Sequence, residues 1–198
     1  MDGKIYSTKN KFLKLNLENK EFNQYWFSEK TINFIINQIK KCTLNIENYK
    51  VAMISSPSIF FSLEKDMQEN CYLFEIDEKL LKKHKNCVYY DYNKFSVNEN
   101  NVDFKNYKEY FDYIIIDPPF IVKEAWIKYA EFTNYIKKNN SNILTCSIFE
   151  NEKLLYELLK LNKKQYQPSI PNLVYQYNFY SNYNDDELNK DNEELVVF

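Results

Sequence analysis

Phe111-Asp112-Tyr113-Ile114-Ile115-Ile116-Asp117-Pro118-Pro119-Phe120 is the stretch from which the architecture of this chain can be read. A β-branched and aromatic run without an internal breaker reads as a strand buried in a parallel sheet. It stops at Asp117 because Pro118 and Pro119 have no N–H to donate and cannot continue a ladder. The strand therefore delivers an acidic side chain, rigid carbonyls and the Phe120 ring to the carboxyl edge of the sheet. Open α/β sheets bind their ligands on that edge.

The same grammar repeats upstream. Val51-Ala52-Met53-Ile54 is a short apolar strand closed by Ser55-Ser56-Pro57-Ser58, and Pro57 suits the first turn of a helix predicted over 58 to about 67. A second strand over 71–74 ends at Glu75-Ile76-Asp77, before a Lys-rich helix, and a third over 87–90 ends at Asp91-Tyr92-Asn93. Ser28 reads as an N-cap with Glu29 in the first turn, and Ile32, Ile35, Ile36 and Ile39 follow on one helical face to about Lys41. Downstream come a helix from Glu124 to about Lys137, a strand over 142–147 and an amphipathic helix marked by Leu154, Leu155, Leu158 and Leu159. The alternating segment 174–183 reads as an antiparallel edge strand. Strands alternating with helices predict a doubly wound α/β sheet. Residues 24–183 read as one domain, 1–23 as a mobile or loosely docked N-terminal arm, and 184–198 as a frayed acidic tail in which 195–198 has the apolar character to dock.

Composition narrows the function. At 198 residues, 44% apolar, with 18 Tyr and 15 Phe, the chain has the means to bury a full core. The N-terminus lacks the apolar core of a signal peptide and no apolar run reaches membrane-spanning length, so a soluble, cytoplasmic protein is expected. Cys42, Cys71, Cys87 and Cys146 are scattered without paired spacing, as expected of reduced thiols and not of metal ligands. The net charge of −2 and the absence of arginine argue against a nucleic-acid partner. Gly3 is the single glycine, which excludes a glycine-rich nucleotide loop.

In a parallel sheet the Ser55-Ser56-Pro57-Ser58 turn, Glu75, Asp91 and Asp117 share one edge. A carboxylate after the second strand can accept both ribose hydroxyls of a nucleoside; that is Glu75. Asp91 can accept from the amino group of a base such as adenine, Tyr90 or Tyr92 can flank that base, and the serine turn supplies N–H groups and hydroxyls to the rest of the ligand. Tyr25-Trp26-Phe27 is either a hydrophobic staple on the first helix or a wall over a substrate channel.

Asp117-Pro118-Pro119-Phe120 resembles the catalytic loop of amino-group methyltransferases that use S-adenosylmethionine. Together with Gln24-Tyr25-Trp26-Phe27-Ser28, Ile54-Ser55-Ser56-Pro57-Ser58, Leu73-Phe74-Glu75-Ile76-Asp77, Tyr90-Asp91-Tyr92-Asn93 and Ile170-Pro171-Asn172-Leu173, it is similar to the elongation factor 1-alpha lysine methyltransferases. These were formerly classed as N6-adenine methyltransferases, and the similarity spans about 24–183. The resemblance implies a Rossmann-like, seven-stranded class I methyltransferase sheet, S-adenosylmethionine as cofactor, and N-methylation of a lysine on translation elongation factor 1-alpha. It also implies Asp117, Pro118 and Phe120 as the catalytic loop, Ser55, Ser56, Pro57, Ser58, Glu75, Asp91 and Tyr92 as the cofactor site, and Tyr25, Trp26 and Phe27 toward substrate. Phe120 replaces an expected tyrosine, and basic residues expected before Asn172 are absent. The alternatives are an N6-adenine methyltransferase acting on DNA or RNA, and an adaptor that keeps the fold without the chemistry.

Overall fold

The computed structural model describes residues 9–97 and 102–195. Seven strands form one sheet: β1 (Val51–Ile54), β2 (Cys71–Glu75), β3 (Cys87–Tyr89), β4 (Phe111–Ile116), β5 (Lys137–Ser147), β6 (Asn162–Lys163) and β7 (Asn178–Ser181). Their order is β3-β2-β1-β4-β5-β7-β6. The pairs from β3 through β5 are parallel, whereas β7 runs antiparallel to β5 and β6 antiparallel to β7. The antiparallel edge is therefore two strands deep. Connectivity reverses direction between β1 and β4, and such a switch point opens a crevice outside the strands' carboxyl ends.

The helices are α1 (Lys11–Leu15), α2 (Glu29–Thr43), α3 (Pro57–Phe60), α4 (Lys65–Gln68), α5 (Glu78–Leu81), α6 (Lys123–Ile136) and α7 (Glu152–Leu159). Tyr113 and Ile115 of β4, with Met53 of β1, face a core that includes Ile32, Ile35 and Ile39 of α2. Ile114 and Ile116, with Ile54, face the opposite core, built on Trp126 and Phe132 of α6 and Leu155 of α7. Both faces of β4 are covered, so its sequence shows a continuous apolar run and no alternation. Among the described residues no helix is long and apolar enough to cross a membrane.

Ser28 caps α2 as its sequence predicts, accepting from Thr31 N. The helix expected over 58–67 is instead two short turns. The Gln68 side chain takes the Phe60 carbonyl at 2.9 Å and Ser62 Oγ takes the Ser58 carbonyl at 2.6 Å, and such side-chain bonds to backbone compete with helix propagation. Pairing of the segment 174–183 is confined to 178–181, opposite 144–147 of β5; Val174, 92% exposed, lies outside the sheet.

Both chain ends are more tightly held than their composition suggests. Phe12 is buried against Trp26, edge-on at 5.3 Å, and stacks on Phe61 at 5.7 Å. Trp26 Nε1 donates to the Asn16 carbonyl, and Glu18 accepts from Trp26 N, so residues 9–23 pack on the domain and do not form a loose arm. In the acidic tail Leu188 is fully buried and its carbonyl accepts from Gln165 N and Tyr166 N, while Asp185 takes bonds from Gln38 and Lys41. Residues 184–195 are thus docked where fraying was expected; of the 195–198 segment, 196–198 lie outside the described residues.

Candidate active site

One pocket opens at the β1/β4 switch point, with about 860 Å³ of atom-free space counted out to its open mouth. The strand ends that the sequence groups on one edge meet here. Ser55 and Pro57 come from the turn after β1, Glu75 from the end of β2, Tyr90, Asp91 and Tyr92 from beyond β3, and Asp117, Pro118 and Phe120 from beyond β4. Tyr25 and Trp26 close it from the N-terminal side.

Three predicted site residues are not in the lining. Ser56 and Ser58 are fully buried, and Ser56 Oγ turns back to the Ile54 carbonyl at 3.0 Å. Phe27 is buried in the α2-side core, 6.4 Å from the Phe179 ring. The serine turn therefore presents one hydroxyl-bearing residue to the pocket, Ser55, and that hydroxyl bonds Tyr129 OH at 2.8 Å. Ser55 has a left-handed backbone, φ 55°, a conformation that costs a non-glycine residue about 1–3 kcal/mol.

Each carboxylate sits in a different setting. Glu75 is 4% exposed; its Oε1 accepts from Ile76 N at 2.8 Å and Asp77 N at 3.1 Å, and Oε2 accepts nothing from the described residues. Burial raises its pKa, and those two backbone bonds oppose the rise. Asp91 caps its own turn through Asn93 N at 3.0 Å and lies 3.7 Å from Lys94 Nζ. Asp77 is occupied as the N-cap of α5.

Asp117 is half-buried at the end of β4, with its N–H bonded to the Ile54 carbonyl. Burial pushes its carboxyl up to about 7, nearby Glu75 adds to the rise, and the Cys146 thiol, donating to Oδ1 at 3.4 Å, opposes it. A carboxyl raised in the native state keeps its proton longer than in the unfolded chain. The folded protein therefore loses stability to this group as pH climbs from about 4, where the unfolded carboxyl ionises, toward that value. Asp117→Asn removes the titration. Chemical denaturation at about pH 5 and about pH 8 should show the variant gaining on the wild type at the higher pH. An unchanged difference would mean that Asp117 titrates as an ordinary aspartate.

Several lining residues carry no motif in the sequence. Tyr129 and Tyr177 are buried and belong to segments whose periodicity reads as core. Asn23, with φ 51°, donates its side-chain amide to the Pro119 carbonyl, strapping the N-terminal segment to the Asp-Pro-Pro-Phe loop. A neighbouring groove shares Trp26 with the pocket and is lined by Glu18, Glu29, Lys30 and Glu194, among others.

The pocket lining holds four carboxylates, Glu21, Glu75, Asp91 and Asp117, and no lysine, arginine or histidine. Its walls are aromatic: Phe22, Tyr25, Trp26, Tyr92, Phe120 and Tyr177. Such a site favours cationic ligands, through both charge and ring quadrupoles, and repels phosphates.

The chain is 26% identical to a protein-lysine N-methyltransferase of Drosophila melanogaster, covering 86% of this chain and 78% of that protein. It is 27% identical to EEF1A lysine methyltransferase 1 of Homo sapiens, covering 84% and 75%, and 29% identical to a protein-lysine N-methyltransferase of Dictyostelium discoideum, covering 89% and 82%. A solved SAM-dependent methyltransferase of Aquifex aeolicus superposes with a TM-score of 0.48 at 12% identity, over 78% of this chain and 98% of that one. The family described as "Probable N6-adenine methyltransferase" matches residues 18–185, and with most of its length inside that match the chain belongs to this methyltransferase family.

Proposed function

We propose that the protein is an S-adenosylmethionine-dependent protein-lysine N-methyltransferase whose substrate is translation elongation factor 1-alpha. The observation that carries the choice of lysine over nucleic acid is the pocket's charge: four carboxylates and no cation around Asp117-Pro118-Pro119-Phe120. A nucleic-acid enzyme gains affinity by neutralising phosphates with lysine and arginine, and this mouth offers neither. The names of the similar curated proteins support the same substrate class, and those of the human protein and its vertebrate counterparts support the elongation factor. Cytoplasmic action is supported by four free cysteines, two of them buried.

The residues present fit S-adenosylmethionine. The unbonded Oε2 of Glu75 is suited to ribose hydroxyls, and Tyr90 lines the pocket with a buried hydroxyl that has no partner. In this reading Asp91 and Tyr92 meet the adenine, and Ser55 and Pro57 the methionine end; all four line the pocket. When bound, the cofactor supplies a methyl group on a sulfonium, an electrophile that needs an aligned amine lone pair.

A free lysine amine has a pKa of about 10.4, so the site must favour its neutral form and aim it. Desolvation by the aromatic walls lowers that pKa. Asp117 and the Pro118 carbonyl accept from the amine N–H groups and set its direction, while Phe120 packs on the alkyl chain. Because its own carboxyl is raised to about 7, Asp117 near neutrality opposes loss of the amine proton less than a fully ionised aspartate. Its role is positioning the nucleophile. The groove beside Trp26 gives the protein chain flanking the lysine a path across the surface.

The test is transfer of label from radioactive S-adenosylmethionine to purified elongation factor 1-alpha, duplex DNA and RNA in separate reactions. Label on a lysine of the elongation factor is expected. Label on nucleic acid alone would make the adenine reading correct, and absence of any transfer despite cofactor binding would favour an adaptor or another protein substrate.

A further inference from the structure

The turn after β1 has a left-handed residue and no glycine to occupy it. Ser55 takes φ 55° in a sequence whose single glycine is Gly3. A glycine adopts that shape unaided; a serine needs it imposed. Two bonds impose it. Ser55 N–H donates to the Phe74 carbonyl of β2 at 2.8 Å, and Ser55 Oγ bonds the Tyr129 hydroxyl of α6 at 2.8 Å.

The other two serines do not share this reach. Ser56 Oγ bonds the Ile54 carbonyl of the preceding strand, and Ser58 Oγ is buried without a partner. Tyr129 also stands against the other half of the pocket: its ring lies 5.4 Å from Tyr92 and 5.9 Å from Tyr90. At 2% exposure it is fixed by packing, so its hydroxyl is held in place before any ligand arrives.

We infer that Tyr129 is a positioning residue for the cofactor turn: through the Ser55 hydroxyl it holds the backbone after β1 in the shape a glycine would take, and it ties that turn to the Tyr90-Asp91-Tyr92 wall. This role rests on the assignment of the pocket to S-adenosylmethionine. It also explains how a chain with a single glycine holds a left-handed residue in this turn.

The role predicts a specific pattern of coupling. Tyr129→Phe keeps the ring and removes the bond, so affinity for S-adenosylmethionine and S-adenosylhomocysteine, read by calorimetry, falls about five-fold. Ser55→Ala falls by a similar factor. In the Ser55→Gly background the turn no longer needs the bond, and adding Tyr129→Phe changes affinity by less than about two-fold. The Tm of the ligand-free proteins follows the same cycle, with Tyr129→Phe costing more beside serine than in the Ser55→Gly background.

Wild-type affinity in Tyr129→Phe overturns the role. Equal loss in both backgrounds overturns it too, because Tyr129 would then act on the ligand or the packing and not through Ser55. Wild-type protein that binds neither ligand overturns the cofactor assignment, and this role with it. Absent coupling in protein that does bind overturns the role alone.

Discussion

Asp117→Ala lowers methyl transfer by about 10²-fold or more while leaving cofactor affinity nearly unchanged. In the proposed site the carboxylate meets the amine and not the nucleoside, so its loss is expected to remove alignment of the nucleophile and little ground-state binding of the cofactor. The fold tolerates the change. The backbone bond from Asp117 N to the Ile54 carbonyl survives, and the protein is relieved of a carboxyl that burial holds at about 7. A scintillation assay on elongation factor 1-alpha, paired with calorimetry of S-adenosylhomocysteine, separates the two effects. Turnover within a few-fold of wild type would remove Asp117 from the chemistry; a parallel collapse in cofactor affinity would move it to the cofactor site.

Phe74→Ala destabilises the protein by about 3–5 kcal/mol, the range for deleting a fully buried aromatic ring. Phe74 is completely buried and its ring meets Phe132 at 5.1 Å, Tyr107 at 5.3 Å and Phe111 at 5.7 Å, all close to perpendicular. Those neighbours come from α6, the 3-10 segment Val102–Tyr107 and β4, so the cavity would open where three elements meet. The backbone bond from Ser55 N–H to the residue 74 carbonyl does not depend on the ring and remains available in the variant. Urea denaturation measures the change. A loss below about 1 kcal/mol would mean that the aromatic cluster collapses to fill the space.

Much of this architecture is legible in the chain. The apolar runs that become β1, β2 and β4 are recognisable because strands buried on both faces show little polar alternation, and their ends are marked by residues that stop ladders or cap helices. Ser28 announces α2 for a similar reason: its side chain satisfies backbone donors that no other part of the helix can. Glu75, Asp91 and Asp117 follow directly, because parallel strands bring their carboxyl ends to one edge whatever the connecting helices do.

Other features depend on partners far away in sequence. The helix expected over 58–67 breaks because Gln68 and Ser62 take carbonyls that a longer helix would use. The N-terminal segment looks solvated by composition, yet Phe12 finds Trp26 and Phe61, and Asn23 finds Pro119. Tyr129 is indistinguishable from core in the pattern of α6; only its 2.8 Å contact with Ser55, 74 residues earlier, gives it a place in the site.

The parallel sheet, the location of the acidic edge and the lack of a glycine-rich loop can be read from the chain alone, since each depends on local periodicity, strand-ending residues or composition. Which side chains face the pocket depends on contacts made only on folding. Folding turned Ser56, Ser58 and Phe27 into the core, brought Tyr129, Tyr177 and Asn23 to the site, and raised Asp117 to about 7. Orientation at a turn and the dielectric around a carboxyl are set by neighbours that only folding assembles.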